Sequence, residues 1–129
     1  MSRDNIIVGR IRMLNAALFA IIEEAASTVL ILTEDADQDE LLASRLTCAE
    51  VQRLLLIMTG MIAEISAETR ACMPELEWAG WKVTPRALKG SKAKADEALW
   101  FAVHSLVPAT IMWLRVYRQK RPELFTFYV

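Results

Sequence analysis

The chain has 129 residues, 54% of them hydrophobic, with only four glycines and four prolines, which bounds it to one domain over residues 1–129 with a single core and excludes disorder or a fibrous repeat. Its net charge of −1 excludes a uniformly basic or acidic protein, and the excess of Met, Leu, Ala and Ile over Thr and Tyr favours helix over strand. No unbroken apolar run reaches the ~18–20 residues that cross a bilayer, and Leu99–Leu114, the longest candidate, carries His104, Ser105 and Pro108.

The start, Met1-Ser2-Arg3-Asp4, reaches Arg10 and Arg12 before any long apolar core, unlike a secretory signal, so a cytoplasmic location is expected. From Ile7 the apolar positions Ile11, Leu14, Leu18, Ile21, Ile22, Ala25, Val29 and Leu32 step by threes and fours, predicting a long amphipathic helix with one wide buried stripe. Glu34–Glu40, with five acids, ends it, and Asp39–Ser44 reads as a short helix.

Thr47 with Glu50 three residues on reads as a capping box opening a second long helix, closed by Pro74. Its seam is Cys48, Val51, Leu55, Met58, Ile62 and Ile65, and Leu54, Ile57 and Met61 widen it beyond what one neighbour covers. That surplus predicts a symmetric dimer burying at least ~1,000 Å² in total. Cys48 and Cys72, near opposite ends of this helix, would stand roughly 36 Å apart, so they read as idle thiols. With one histidine and no Cys-x-x-Cys, no metal ligand set is expected, and no cofactor.

Thr84-Pro85 predicts an N-cap and first-turn proline for a short helix to Lys89, stopped by a left-handed Gly90. A basic loop Ser91–Ala95 follows, and Asp96 caps a last helix carrying Leu99, Val103, Leu106, Ile111, Leu114 and Val116, kinked at Pro108. The sum is an all-α, antiparallel four- to five-helix bundle.

The segment Lys82–Lys94 holds five bases, Lys82, Arg86, Lys89, Lys92 and Lys94, and no acid. Its plain reading is a solvated loop; its functional reading is an anion-binding surface for RNA, a nucleotide or an acidic partner. The tail Leu124-Phe125-Thr126-Phe127-Tyr128-Val129 either meets a partner or folds back onto the bundle.

Along nearly its whole length the chain resembles the HepT-like toxins of the HEPN superfamily. The resemblance rests on Leu41-Leu42-Ala43-Ser44-Arg45-Leu46-Thr47 before the second helix, Val51-x-Arg53, Ile65-Ser66, Met73-Pro74-Glu75-Leu76-Glu77-Trp78, Gly90, Trp100 and Pro108 eight residues later. It implies an all-α bundle forming a two-fold homodimer. It also implies a metal-independent ribonuclease partnered by a minimal nucleotidyltransferase antitoxin, which adenylates a tyrosine of the toxin. The family motif is an arginine, four residues, a histidine, one residue and a tyrosine, lining the dimer cleft. Histidine, with a pKa of ~6.5, can move the ribose hydroxyl's proton at neutral pH, and arginine stabilises the phosphate charge.

The motif is replaced in this chain. Alignment on Gly90 and Trp100 puts Thr84, Lys89 and Ser91 at the three positions; counting from Trp78 puts Pro85, Gly90 and Lys92 there. Neither register supplies a histidine, and a lysine with a pKa of ~10.4 is a poor base at neutral pH. Leu54 and Leu56 also stand where relatives often carry polar residues. His104, 18 residues after Arg86, reads as an ordinary helix residue or as a relocated base. The expectation is a degenerate, binding-only member that engages a nucleotidyltransferase, a second copy or RNA, with no membrane partner. Its rivals are a ribonuclease using Arg86, Lys89 and His104, and a helical module unrelated to toxins.

Overall fold

Apolar periodicity in the first quarter does make one long helix. In the computed structural model, which describes residues 3–126, helix α1 runs Arg3–Leu32 and stops where Asp35 adopts a left-handed backbone (φ 61°). The Thr33 hydroxyl donates to the Val29 carbonyl at 2.8 Å and closes the last turn. The single stripe is corrected. Leu18, Phe19, Ile22, Ala26 and Val29 are buried, whereas Ile7, Leu14 and Ile21 stay 42–54% exposed on a second apolar face.

Helix α2 (Gln38–Ala43) is opened by Asp37, whose carboxylate accepts from the Glu40 amide in a reciprocal capping box. Helix α3 (Arg45–Glu64) is capped by Ser44 and not by Thr47: the Ser44 hydroxyl accepts from the Thr47 amide, and Glu50 pairs with Arg53 instead of reaching back. Of the expected α3 seam Val51, Leu55, Met58 and Ile62 are buried and pack along α1, Cys48 is half-buried, and Ile65, also buried, lies just past the helix end. Leu54 is buried too; Ile57 and Met61 are half-exposed.

The second helix does not continue to Pro74. Ile65 and Ser66 are extended, and Ser66 caps a separate helix α4 (Ala67–Cys72). Buried Asn15 of α1 fixes this break. Its amide nitrogen donates to Thr69 Oγ1 (2.9 Å) and Ser66 Oγ (3.1 Å), and its carbonyl accepts the Ser66 N–H (3.3 Å). A helix straight through Ser66 would strand that amide, and an unpaired buried amide costs about 1–3 kcal/mol. Cys48 and Cys72 therefore sit on different helices, both as free thiols.

Helix α5 (Trp78–Leu88) begins well before Thr84, so Thr84 and Pro85 lie in its third turn and cap nothing. Buried Trp81, Thr84 and Leu88 share one face, and that face carries the helix through the proline. Gly80 allows the close approach: a Cβ there would stand 3.0 Å from the Leu106 side chain. Gly90 is not left-handed; a tight turn with its N–H on the Ala87 carbonyl (3.1 Å) ends the helix.

The expected basic loop is helical. Ser91 caps helix α6 (Lys92–Phe101), and Asp96, four residues inside it, pairs with Lys92. A π turn at Ala102–Leu106 then leads into helix α7 (Val107–Lys120). Pro108 is the second residue of α7, and the expected kink takes the form of this widened turn, with the Val107 N–H on the Ala102 carbonyl. A 3₁₀ turn (Pro122–Phe125) folds back, burying Leu124 and Phe125; Phe125 packs on Phe19 at 4.9 Å with the Arg118 guanidinium above its ring. Phe127–Val129 and Met1-Ser2 lie outside the described residues.

Tyr117 of α7 donates a hydrogen bond to the Glu75 carboxylate, tying the α4–α5 connection to the last helix. This bond to the carboxylate raises the phenol to about 12, and the same bond lowers Glu75. The neutral phenol is the donor, so its contribution is complete below the ordinary tyrosine pKa of ~10 and is lost as pH rises through about 12. An alkaline absorbance titration should show one of the two tyrosines ionising near 12, and Glu75→Gln should bring it down towards ~10. Two ordinary midpoints in the parent protein would contradict the pairing.

Three helical stretches, Gly9–Leu32, Arg45–Glu64 and Lys92–Lys120, are long and apolar enough on average to cross a bilayer. This amends the reading from unbroken runs, because interspersed polar residues do not lower the mean enough. From 33% to 44% of each window is buried inside the protein. Much of that apolar content is the core itself.

Candidate nucleic-acid interface

The basic segment begins on α5 and crosses to α6. Lys82 and Arg86 are exposed one helical turn apart, Lys89 is the exposed C-cap, and Lys92 and Lys94 project from the first turn of α6. Arg86 in the last turn complements the negative end of the α5 dipole, which a purely structural role explains. Lys92 and Lys94 do the reverse: they crowd a positive helix start that has no acid in its first turn. Lys92 is relieved by Asp96 at 2.6 Å. Among the described residues, Lys82, Arg86, Lys89 and Lys94 have no ion pair.

Each position that the resemblance aligns with the HepT-like motif is engaged elsewhere or lacks a base. Thr84 is 5% exposed, and its hydroxyl donates to the Gly80 carbonyl at 2.7 Å, the back-bond of a mid-helix threonine. The Ser91 hydroxyl accepts from the Lys94 amide as the α6 cap (3.4 Å). Lys89 stands at the surface. In the other register Pro85 has no polar side chain, Gly90 has none at all, and Lys92 is held by Asp96. Near Lys92, the Cys48 thiol is raised, chiefly by burial, and its hydrogen points at the Leu41 carbonyl (3.1 Å), so it is an inert group.

Of the variant set Arg86, Lys89 and His104, only His104 lines the groove beside α6. His104 lies exposed in the π turn, stacked on Trp100 with ring centroids 5.2 Å apart and planes 13° from parallel. It lines a groove of about 510 Å³ together with Lys94, Glu97, Trp100 and the half-exposed Phe101; Arg86 and Lys89 are not in the lining. Sequence reading takes Glu97, beside Asp96, as a capping or solvated residue and passes over Phe101. Their signal was there: Lys94, Glu97, Phe101 and His104 are spaced by three, four and three residues, the period of one helix face. The groove brings together a cation, aromatic faces and an imidazole, parts that can stack a base, with the Glu97 carboxylate opposing a phosphate beside Lys94. Among the described residues no three His, Cys, Asp or Glu side chains converge as metal ligands. No protein-family model, curated protein or solved structure matches the chain.

Proposed function

We propose that this chain is a HEPN-fold protein of the HepT-like type whose ribonuclease centre has decayed, and that it acts in the cytoplasm by binding. Its partners on this reading are a second copy, a minimal nucleotidyltransferase, and RNA held by the basic segment. The observation that carries the reading is the state of the motif positions. Thr84 is sealed in α5, Ser91 is a helix cap, and Lys89 is an exposed cation with no base beside it.

The purified protein should therefore bind RNA without cutting it in a single-turnover assay, and Lys89→Ala should cut nothing either while binding more weakly. A second reading, a ribonuclease with a displaced base, is favoured by the groove that joins His104 to Lys94 and Glu97. Cleavage by the parent protein that is abolished by Lys89→Ala or His104→Ala would replace the first reading with the second.

Self-association follows from the second apolar face. Ile7, Leu14 and Ile21 recur every seven residues on α1, and Ile21 shares a shallow groove with Leu54 and Ile57 of α3. Glu24, Glu50 and Arg53 line the same groove, a charged setting that suits a protein partner better than hydrocarbon. The protein should scatter light as a dimer at micromolar concentration, and the pair Ile21→Glu and Ile57→Glu should make it a monomer with unchanged helix content. A monomeric parent protein would remove this part of the proposal.

A further inference from the structure

A separate pocket of about 300 Å³ opens between α3, α4 and α5, away from the groove at His104. Ile62, Ala63, Trp78 and Trp81 form its apolar walls. Both indole N–H groups point to partners in the protein, Trp78 to the Met73 carbonyl and Trp81 to the Thr110 hydroxyl, each at 2.8 Å. Half-buried Trp78 therefore offers the pocket apolar area rather than a donor, while Trp81, 1% exposed, backs the recess from the core. Thr59, Ala79, Arg70 of α4 and Lys82 of α5 complete the lining, which includes no carboxylate. Neither cation has an ion pair or hydrogen bond among the described residues.

Two uncompensated cations at an apolar recess select a particular kind of ligand. A neutral apolar molecule would leave the charges unused, and a bare anion would leave the indole walls wet. The volume is at the lower end of the ~300–1,000 Å³ range of ligand pockets, so the guest is small. We propose that this pocket binds a small amphiphilic carboxylate, its anionic group between Arg70 and Lys82 and its apolar body against Trp78 and Ala63. The site shares Lys82 with the RNA reading but not Arg70, which lies outside the basic segment, and the occupant is too small to be a polymer.

The test uses octanoate, below its micelle concentration, with the full chain. Tryptophan fluorescence should change saturably on titration, because two of the four tryptophans line the site. Octan-1-ol, with the same tail and no charge, should bind at least ~10-fold more weakly, as should octanoate to the Arg70→Gln, Lys82→Gln double variant. Ala63→Phe, which fills the recess from an exposed helical position, should abolish the response while circular dichroism stays unchanged. An absent or non-saturating response in the parent protein overturns the proposal. So does equal binding of the alcohol, or wild-type affinity in either the double variant or Ala63→Phe. RNA binding measured beside it should survive Arg70→Gln, which separates failure of this site from failure of the RNA reading.

Discussion

Replacing Trp81 with alanine should lower the unfolding free energy by about 3–5 kcal/mol, measured by urea denaturation. Trp81 is 1% exposed and is the largest fully buried side chain, so its removal leaves a cavity the surrounding helices can only partly close. It also ties α5 to α7, through its indole N–H on the hydroxyl of buried Thr110. Thr110→Val should cost about 1–3 kcal/mol, because it keeps the volume but leaves the indole N–H buried without an acceptor. The double variant should cost less than the sum of the two, since the orphaned donor disappears with the ring. Domains are stable by only about 5–15 kcal/mol, so Trp81→Ala takes a large share of the whole. A loss below about 1 kcal/mol would mean that α5 does not pack as described.

RNA affinity should fall roughly fifty- to a hundred-fold between ~50 and ~200 mM salt. The reasoning is counterion release: four or five neutralised phosphates on a single strand give a log–log slope of about −3. Lys82, Arg86, Lys89 and Lys94 supply four cations without ion pairs, and Lys92 a fifth that Asp96 partly holds. Arg86→Ala and Lys89→Ala should each flatten the slope by about 0.7, whereas Arg70→Gln should leave it alone. Asp96→Asn should steepen it by releasing Lys92. Fluorescence anisotropy with a labelled single strand reads all of these. Affinity indifferent to salt would show that the basic segment is a solvated surface and nothing more.

The absence of a histidine between Lys82 and Lys94 was legible at once, because it depends on residue identity alone and holds in any fold. The long helices α1 and α3 were legible for a related reason, since a period of three and four over many turns leaves little choice of local structure. Most of the α3 seam came out buried as well, Val51, Leu55, Met58 and Ile62, although Cys48 is only half-buried and Leu54, expected outside the seam, is buried.

Elsewhere local signals competed and tertiary contacts chose between them. Ser44 and Thr47 are both good caps three residues apart; only the packed α2–α3 turn selects Ser44. Thr84-Pro85 is a sound helix start taken alone, but burying Trp81, Thr84 and Leu88 together outweighs the hydrogen bond Pro85 cannot donate. The break at Ser66 depends on Asn15, 51 residues away, and no window around Ser66 contains it. On α1 apolar residues occupy more of the helix than one neighbour can cover. Composition therefore fixes that a helix forms, while only the placement of α3 and α7 decides that Phe19 and Val29 turn inward and Leu14 and Ile21 remain outside. Helical period and residue chemistry are local properties and can be read along a chain; caps, breaks, the buried side of a helix and the company His104 keeps are set by which distant surfaces meet.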